Sequence, residues 1–218
     1  MIQRASFAVL AAGLLLAASP VGAITLTFDN LAEGTVLSNQ YAGLGATFSP
    51  NAFSGPGTST SGEAWATNTD MTIVSSTGAD VGGLGLPALA GGNLLRGLAG
   101  WSSEDGDPSF RITFARTATG FSAAFAGVSA GADVSLFAYN GAALVSTVSG
   151  TGTGTDTSQF VLGYAGPVTS IAIRPGSFND WVGVDNITYT LVPVPEAGTF
   201  AMVGLGLMLL AFKRRRPA

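Results

Sequence analysis

The stretch WVGVDNITYTLV, Trp181–Val192, carries the decisive alternation of this chain. Val182 and Val184 share one parity and Ile187, Tyr189 and Leu191 the other, so both halves read as strand while the inward face changes across Asp185 and Asn186. One extra residue there, a β-bulge, restores the buried face and re-aims the acidic side chain. A carboxylate inside an apolar strand is costly unless it finds a partner. Asp185 is therefore the first candidate site residue, the plainer reading being that it caps a turn or pairs with an arginine.

Working outward, the period-two pattern recurs. Ile24, Leu26 and Phe28 alternate with Thr25, Thr27 and Asp29, and Phe110, Ile112 and Phe114 alternate with Arg111 and Thr113. Phe121, Ala123 and Phe125 repeat it, as do Val134, Leu136 and Ala138, and Ile171 with Ile173. Further strands are expected at Ala46–Ser49, Met71–Ser75, Ala143–Val148 and Gln159–Tyr164, between turn-rich spacers such as Ser54–Gly57 and Ser149–Thr155. About ten short strands joined by Gly, Ser and Thr predict an all-β domain, an antiparallel β-sandwich of the jelly-roll type. Leu84–Leu98 is read as a loop with at most a helical turn, because Gly85, Pro87, Gly91, Gly92 and Gly97 interrupt any helix. No internal repeat of fixed period is present, and Ser149–Thr155 is too short a run to separate two domains, so it is read as a long hairpin loop.

Composition removes most familiar active sites. There is no Cys and no His, which excludes disulfides, thiolate metal sites and a Cys nucleophile, and takes away the commonest general base and zinc ligand. Between Ile24 and Val192 stand four arginines (Arg96, Arg111, Arg116 and Arg174) against twelve carboxylates, a net charge of −8. Such a surface repels nucleic acid and anionic lipid and attracts divalent cations.

The two ends have their own pattern. Arg4, the apolar run Phe7–Ala18, the break at Ser19-Pro20 and the small residues up to Ala23 form a secretory signal peptide, residues 1–23, with cleavage between Ala23 and Ile24. At the other end, Ala197–Phe212 is uncharged over 16 residues and is followed by Lys213, Arg214, Arg215 and Arg216. As a helix it measures about 24 Å, somewhat less than a hydrocarbon core. The four cations stop it on the cytoplasmic side and snorkel to cover the shortfall. The expected organisation is a signal helix, a β-sandwich ectodomain over 24–191, and a segment 192–218 that includes a transmembrane helix at about 197–212.

Pro193, Pro195 and Glu196, then the apolar run and the arginine cluster, resemble the PEP-CTERM sorting signal of Gram-negative bacteria. Pro195 and Glu196 match its motif, and Ala197 stands where the family's second proline would. The resemblance implies an exported protein processed by exosortase, a membrane-embedded cysteine transpeptidase, in cells that make exopolysaccharide. The prolines make physical sense, since they keep the approach extended and block helix growth toward the ectodomain. The stretches ITLTFDNLAEGTVLSNQYAGLGATFS and WVGVDNITYTLV are similar to the terminal strands of secreted bacterial jelly-roll domains, including carbohydrate-binding modules. That resemblance implies that first and last strands pair and that one acidic residue from each, here Asp29 and Asp185, holds a structural Ca²⁺ with backbone carbonyls. Oxygen-rich coordination of this kind is what calcium prefers.

Three more groups are candidates. Glu104-Asp105-Gly106-Asp107 is a second cation site or simply a solvated turn. Trp65, Trp101 and Trp181, with Asp180 beside the last, form a glycan-stacking platform or fill the core. Carboxylate pairs for glycoside hydrolysis are marked by no motif. The expected function is a non-catalytic cell-surface or matrix protein associated with exopolysaccharide and biofilm. The alternatives are a carbohydrate-binding module using Trp181 and Asp180, and a carboxylate-dependent glycan hydrolase or lyase.

Overall fold

The computed structural model describes residues 22–51, 71–76, 92–98, 109–126, 128, 131, 133–152, 159–174, 181–193 and 204–206. It divides into two compact units, Val21–Val192 and the two chain ends together. Of the second unit, residues 204–206 are described as helical. The remainder of the expected signal and transmembrane helices lies outside the described residues, and among the described residues no helix is long and apolar enough to cross a membrane.

Among the described residues the body has ten strands, β1 (Ile24–Leu26), β2 (Ala46–Pro50), β3 (Met71–Ser75), β4 (Asn93–Leu98), β5 (Phe110–Ala126), β6 (Asp133–Asn140), β7 (Ala143–Thr151), β8 (Gln159–Tyr164), β9 (Val168–Arg174) and β10 (Trp181–Leu191). Every pairing is antiparallel. The hydrogen-bonded order is β3-β4-β10-β5-β9-β6-β7, with β1 on β10 and both β2 and β8 on β5. β5 organises this arrangement. Its first half lies between β2 and β9, and its second half between β10 and β8. A strand shared in this way lets one continuous ladder turn into a sandwich-like body with a single interior. Residues from far apart in the order, such as Ile73 and Leu95 at one end and Leu136 and Ile173 at the other, belong to one buried cluster.

Three parts of the sequence reading change. The strands expected at Phe110–Phe114 and Phe121–Phe125 are one strand of 17 residues. Its buried positions run Phe110, Ile112, Phe114 and Ala118, then Phe121, Ala123 and Phe125, so the inward parity switches within the strand. Gly120 makes the switch at φ 62°, a left-handed conformation that glycine takes without steric cost. The expected loop at Leu84–Leu98 ends in strand β4, which pairs with β3 and β10. Consecutive residues Leu94 and Leu95 are both buried, Leu95 in the main cluster and Leu94 with Val74 and Ala126 in a second. A strand covered on both faces has no alternation to read. The ladder of β7 also continues to Thr151, opposite Asp133, so the start of the expected Ser149–Thr155 loop is strand.

Candidate functional site

The first and last strands pair, Ile24 opposite Tyr189 and Leu26 opposite Ile187, with the Thr25 and Thr188 hydroxyls 3.0 Å apart. The bulge expected in β10 is present. Asn186 has φ 48°, and β10 takes three steps from Asp185 to Thr188 while β5 takes two from Ala124 to Ser122. Parity is thereby corrected, and Val182, Val184, Ile187 and Tyr189 all reach the core. The Asp185 side chain is left inside, 1% exposed, with Oδ1 accepting the Asn186 N–H at 2.6 Å.

Asp29 arrives from the other terminus. Beyond β1 the chain turns at Phe28, which is fully buried and has φ 61°, a conformation rarely tolerated by a bulky residue. The turn closes with Leu31 N–H donating to Phe28 O at 3.0 Å. Asp29 Oδ1 then accepts the Gly92 and Asn93 amides at 2.9 and 3.0 Å, and Asn93 Nδ2 donates to Leu31 O at 2.9 Å. Asp29 therefore ties the entry of β4 to the end of β1, while β4 itself lies alongside β10.

Burial pushes the Asp185 carboxyl up to about 7 from an ordinary 3.8, the Asn186 amide opposes the rise, and the charge of Asp29 adds to it. Tyr41, whose hydroxyl donates to Asn30 Oδ1 at 2.7 Å, is pushed up to about 12 by burial and then by Asp29 and Asp185. Two carboxylates from opposite ends of the chain thus share one electrostatic neighbourhood with a phenol. The donors gathered there are all oxygen, which suits a hard cation such as Ca²⁺. Among the described residues no three or more acidic side chains come together as a group that could hold a metal ion.

The other sequence candidates fall elsewhere. Trp65, Trp101, Asp180 and the Glu104–Asp107 cluster lie outside the described residues, and Trp181 is described in its backbone alone, at the start of β10. Pro195, Glu196, Ala197 and Lys213–Arg216 lie outside them too. A depression of about 320 Å³ at another part of the body is lined by Ile24, Leu44, Arg116 and Leu191 among others, and its lining contains no carboxylate.

One polar residue was not singled out by sequence. Arg111 enters the pattern as a mere outward position of β5. In the fold its Nε donates to Asn51 Oδ1 and its Nη1 to Ser170 Oγ, both at 2.9 Å, and its guanidinium lies 4.4 Å from the centre of the Tyr139 ring. The available signal was an arginine at an outward position of β5, close to Ser and Thr residues, in an acidic body.

Residues 193–216 match the PEP-CTERM protein-sorting motif. The match begins directly after Val192, whose N–H makes a 2.8 Å bond to Thr117 O at the end of the β10 ladder. The motif implies an exported protein sent along a membrane-processed, cell-surface route, with an exosortase as the processing partner. A search of curated proteins finds no match. Among solved structures the chain is similar to the K3 cleaved adhesin domain of Lys-gingipain from Porphyromonas gingivalis w83, at 12% identity and a TM-score of 0.41, covering 78% of this chain and 99% of that one. Nothing about ligand or activity follows from a likeness of that size.

Proposed function

We propose that this is a non-catalytic protein of the surface or extracellular matrix of a Gram-negative bacterium. It loses residues 1–23 to signal peptidase, and its segment 192–218, with a membrane helix at about 197–212, is then handled by an exosortase-type transpeptidase. The jelly-roll body, 24–191, works in or beside the exopolysaccharide of a biofilm. The sorting motif at 193–216 carries this reading. Its placement supports it, because the last strand is complete at Leu191 and the motif follows within two residues. Intact-mass analysis of the product from its own host tests the proposal. The expected mass lacks residues 1–23 and the basic tail, whereas a full-length soluble chain in the cytosol refutes it.

The same reading includes a structural Ca²⁺ held by Asp29 and Asp185. Two carboxylates brought together at a bulge, one of them buried against its own preference for water, support it. The ion would supply positive charge between them and so fasten the first strand and the β4 entry to the last strand. Calcium should raise the melting temperature and EDTA lower it. An identical melting temperature in both rules the ion out.

A further inference from the structure

We infer that the outer face of the β2-β5-β9-β6 ladder is a binding site for a carboxylate-bearing sugar of an acidic polysaccharide, with Arg111 as the group that receives the carboxylate. This rests on the reading that the body meets extracellular polysaccharide, and names the kind.

The argument starts from charge. With twelve carboxylates to four arginines between Ile24 and Val192, an arginine in this body would be expected to find an acidic neighbour. Among the described residues Arg111 is instead held by neutral groups, the Asn51 amide oxygen, the Ser170 hydroxyl and the Tyr139 ring. These contacts come from three strands or strand ends around it. Asn51 follows β2, Ser170 is in β9 opposite Thr113, and Tyr139 is in β6 opposite Ser170. The side chain is thus fixed in one orientation before any ligand arrives, so little rotamer freedom remains to be lost on binding. A guanidinium has five N–H donors, and the two bonds above leave three of them without a partner among the described residues. A planar fork of free donors is matched by a carboxylate, which can accept two parallel bonds.

The surroundings favour a sugar over an acidic peptide. Thr47, Ser49 and Thr113 are exposed, and the register puts Ser49 opposite Arg111 and Thr47 opposite Thr113. Hydroxyls at strand spacing complement the hydroxyls of a pyranose on either side of its carboxylate. Ala172 of β9 lies opposite both Arg111 and Phe137 of β6, and the described carboxylate that shares the outward parity of β6, Asp133, is four residues from Phe137, roughly 13 Å by strand rise, and accepts a bond from Thr151. That separation exceeds the screening length of about 8 Å at physiological salt, so among the described residues this carboxylate does not cancel the local attraction.

Isothermal titration of the full chain with oligogalacturonate, a neutral glucan of equal length and poly-L-glutamate tests this. Oligogalacturonate should bind at least about tenfold more tightly than the glucan, and Arg111→Gln should weaken it about tenfold or more. Arg111→Lys keeps the charge without the fork and should fall between; it also decides the matter if the glutamine variant does not fold. Uronate affinity unchanged in both variants overturns the inference. Equal, Arg111-dependent binding of poly-L-glutamate overturns the sugar assignment in favour of an acidic peptide. Binding of the neutral glucan alone, indifferent to Arg111, or no binding to either glycan, overturns the acidic-sugar site but leaves the matrix role standing, since that role is decided by the intact mass of the host product.

Discussion

Replacing Asp185 with asparagine should stabilise the metal-free protein at alkaline pH, although it removes a charged residue from the candidate site. Asparagine is nearly isosteric, and its oxygen can still accept the Asn186 N–H that Asp185 Oδ1 now takes at 2.6 Å. What disappears is the cost of a buried anion. The carboxyl titrates at 3.8 when exposed and at about 7 in the fold. Below 3.8 folded and unfolded chains both keep the proton and the carboxylate costs nothing. As pH rises toward about 7 the unfolded chain gives up its proton first, so stability falls across this window and stays low above it. At about 1.4 kcal/mol per pH unit the gap is worth at most about 4 kcal/mol, and relaxation and water entry around a buried charge bring this to about 2 kcal/mol. For a body of this size that is a melting-temperature difference of roughly 4–8 °C. Thermal denaturation followed by circular dichroism should therefore show, in EDTA at pH 8, the variant melting above the parent, the two converging near pH 4. In millimolar calcium the order should reverse, because the parent alone offers the ion both carboxylates. A variant that melts below its parent in EDTA at pH 8 would refute the claim that burial dominates at Asp185.

Other perturbations address the frame around the site. Gly163→Ala places a Cβ 2.8 Å from Phe121 O, a backbone atom that cannot step aside, and should cost about 1–3 kcal/mol in urea denaturation; a neutral result means β8 does not lie against β5 at this register. Leu95→Ala, in the strand that sequence reading took for a loop, should cost about 2–5 kcal/mol, against about zero for a loop residue.

The bulge at Asp185 and Asn186 was legible because its signal is local. The parity break between Val184 and Ile187 needs one extra residue, and a bulge with Asn186 at φ 48° supplies it. The sorting segment was legible for a similar reason, since prolines, an apolar run and a cationic stop act in linear order at the chain end. Strand β4 was hidden because Leu94 and Leu95 are buried on opposite faces, and glycines then outweighed the pattern. The continuity of β5 was hidden because Gly120 resets parity in mid-strand, which in one dimension looks like a boundary.

By itself the amino-acid sequence determined what side-chain period, turn residues and end composition can encode: an all-β body, strands where polarity alternates, an acidic exterior without cysteine or histidine, and an export and sorting address. Only the tertiary structure decided which distant residues share a neighbourhood. Asp29 and Asp185 stand 156 positions apart, and the charge of one reaches the other because β1 pairs with β10. Arg111 acquires its neutral cradle because β2, β9 and β6 gather around β5. Partner choice between strands depends on closing a common core, which rewards the whole set of pairings at once, and no single segment carries that information.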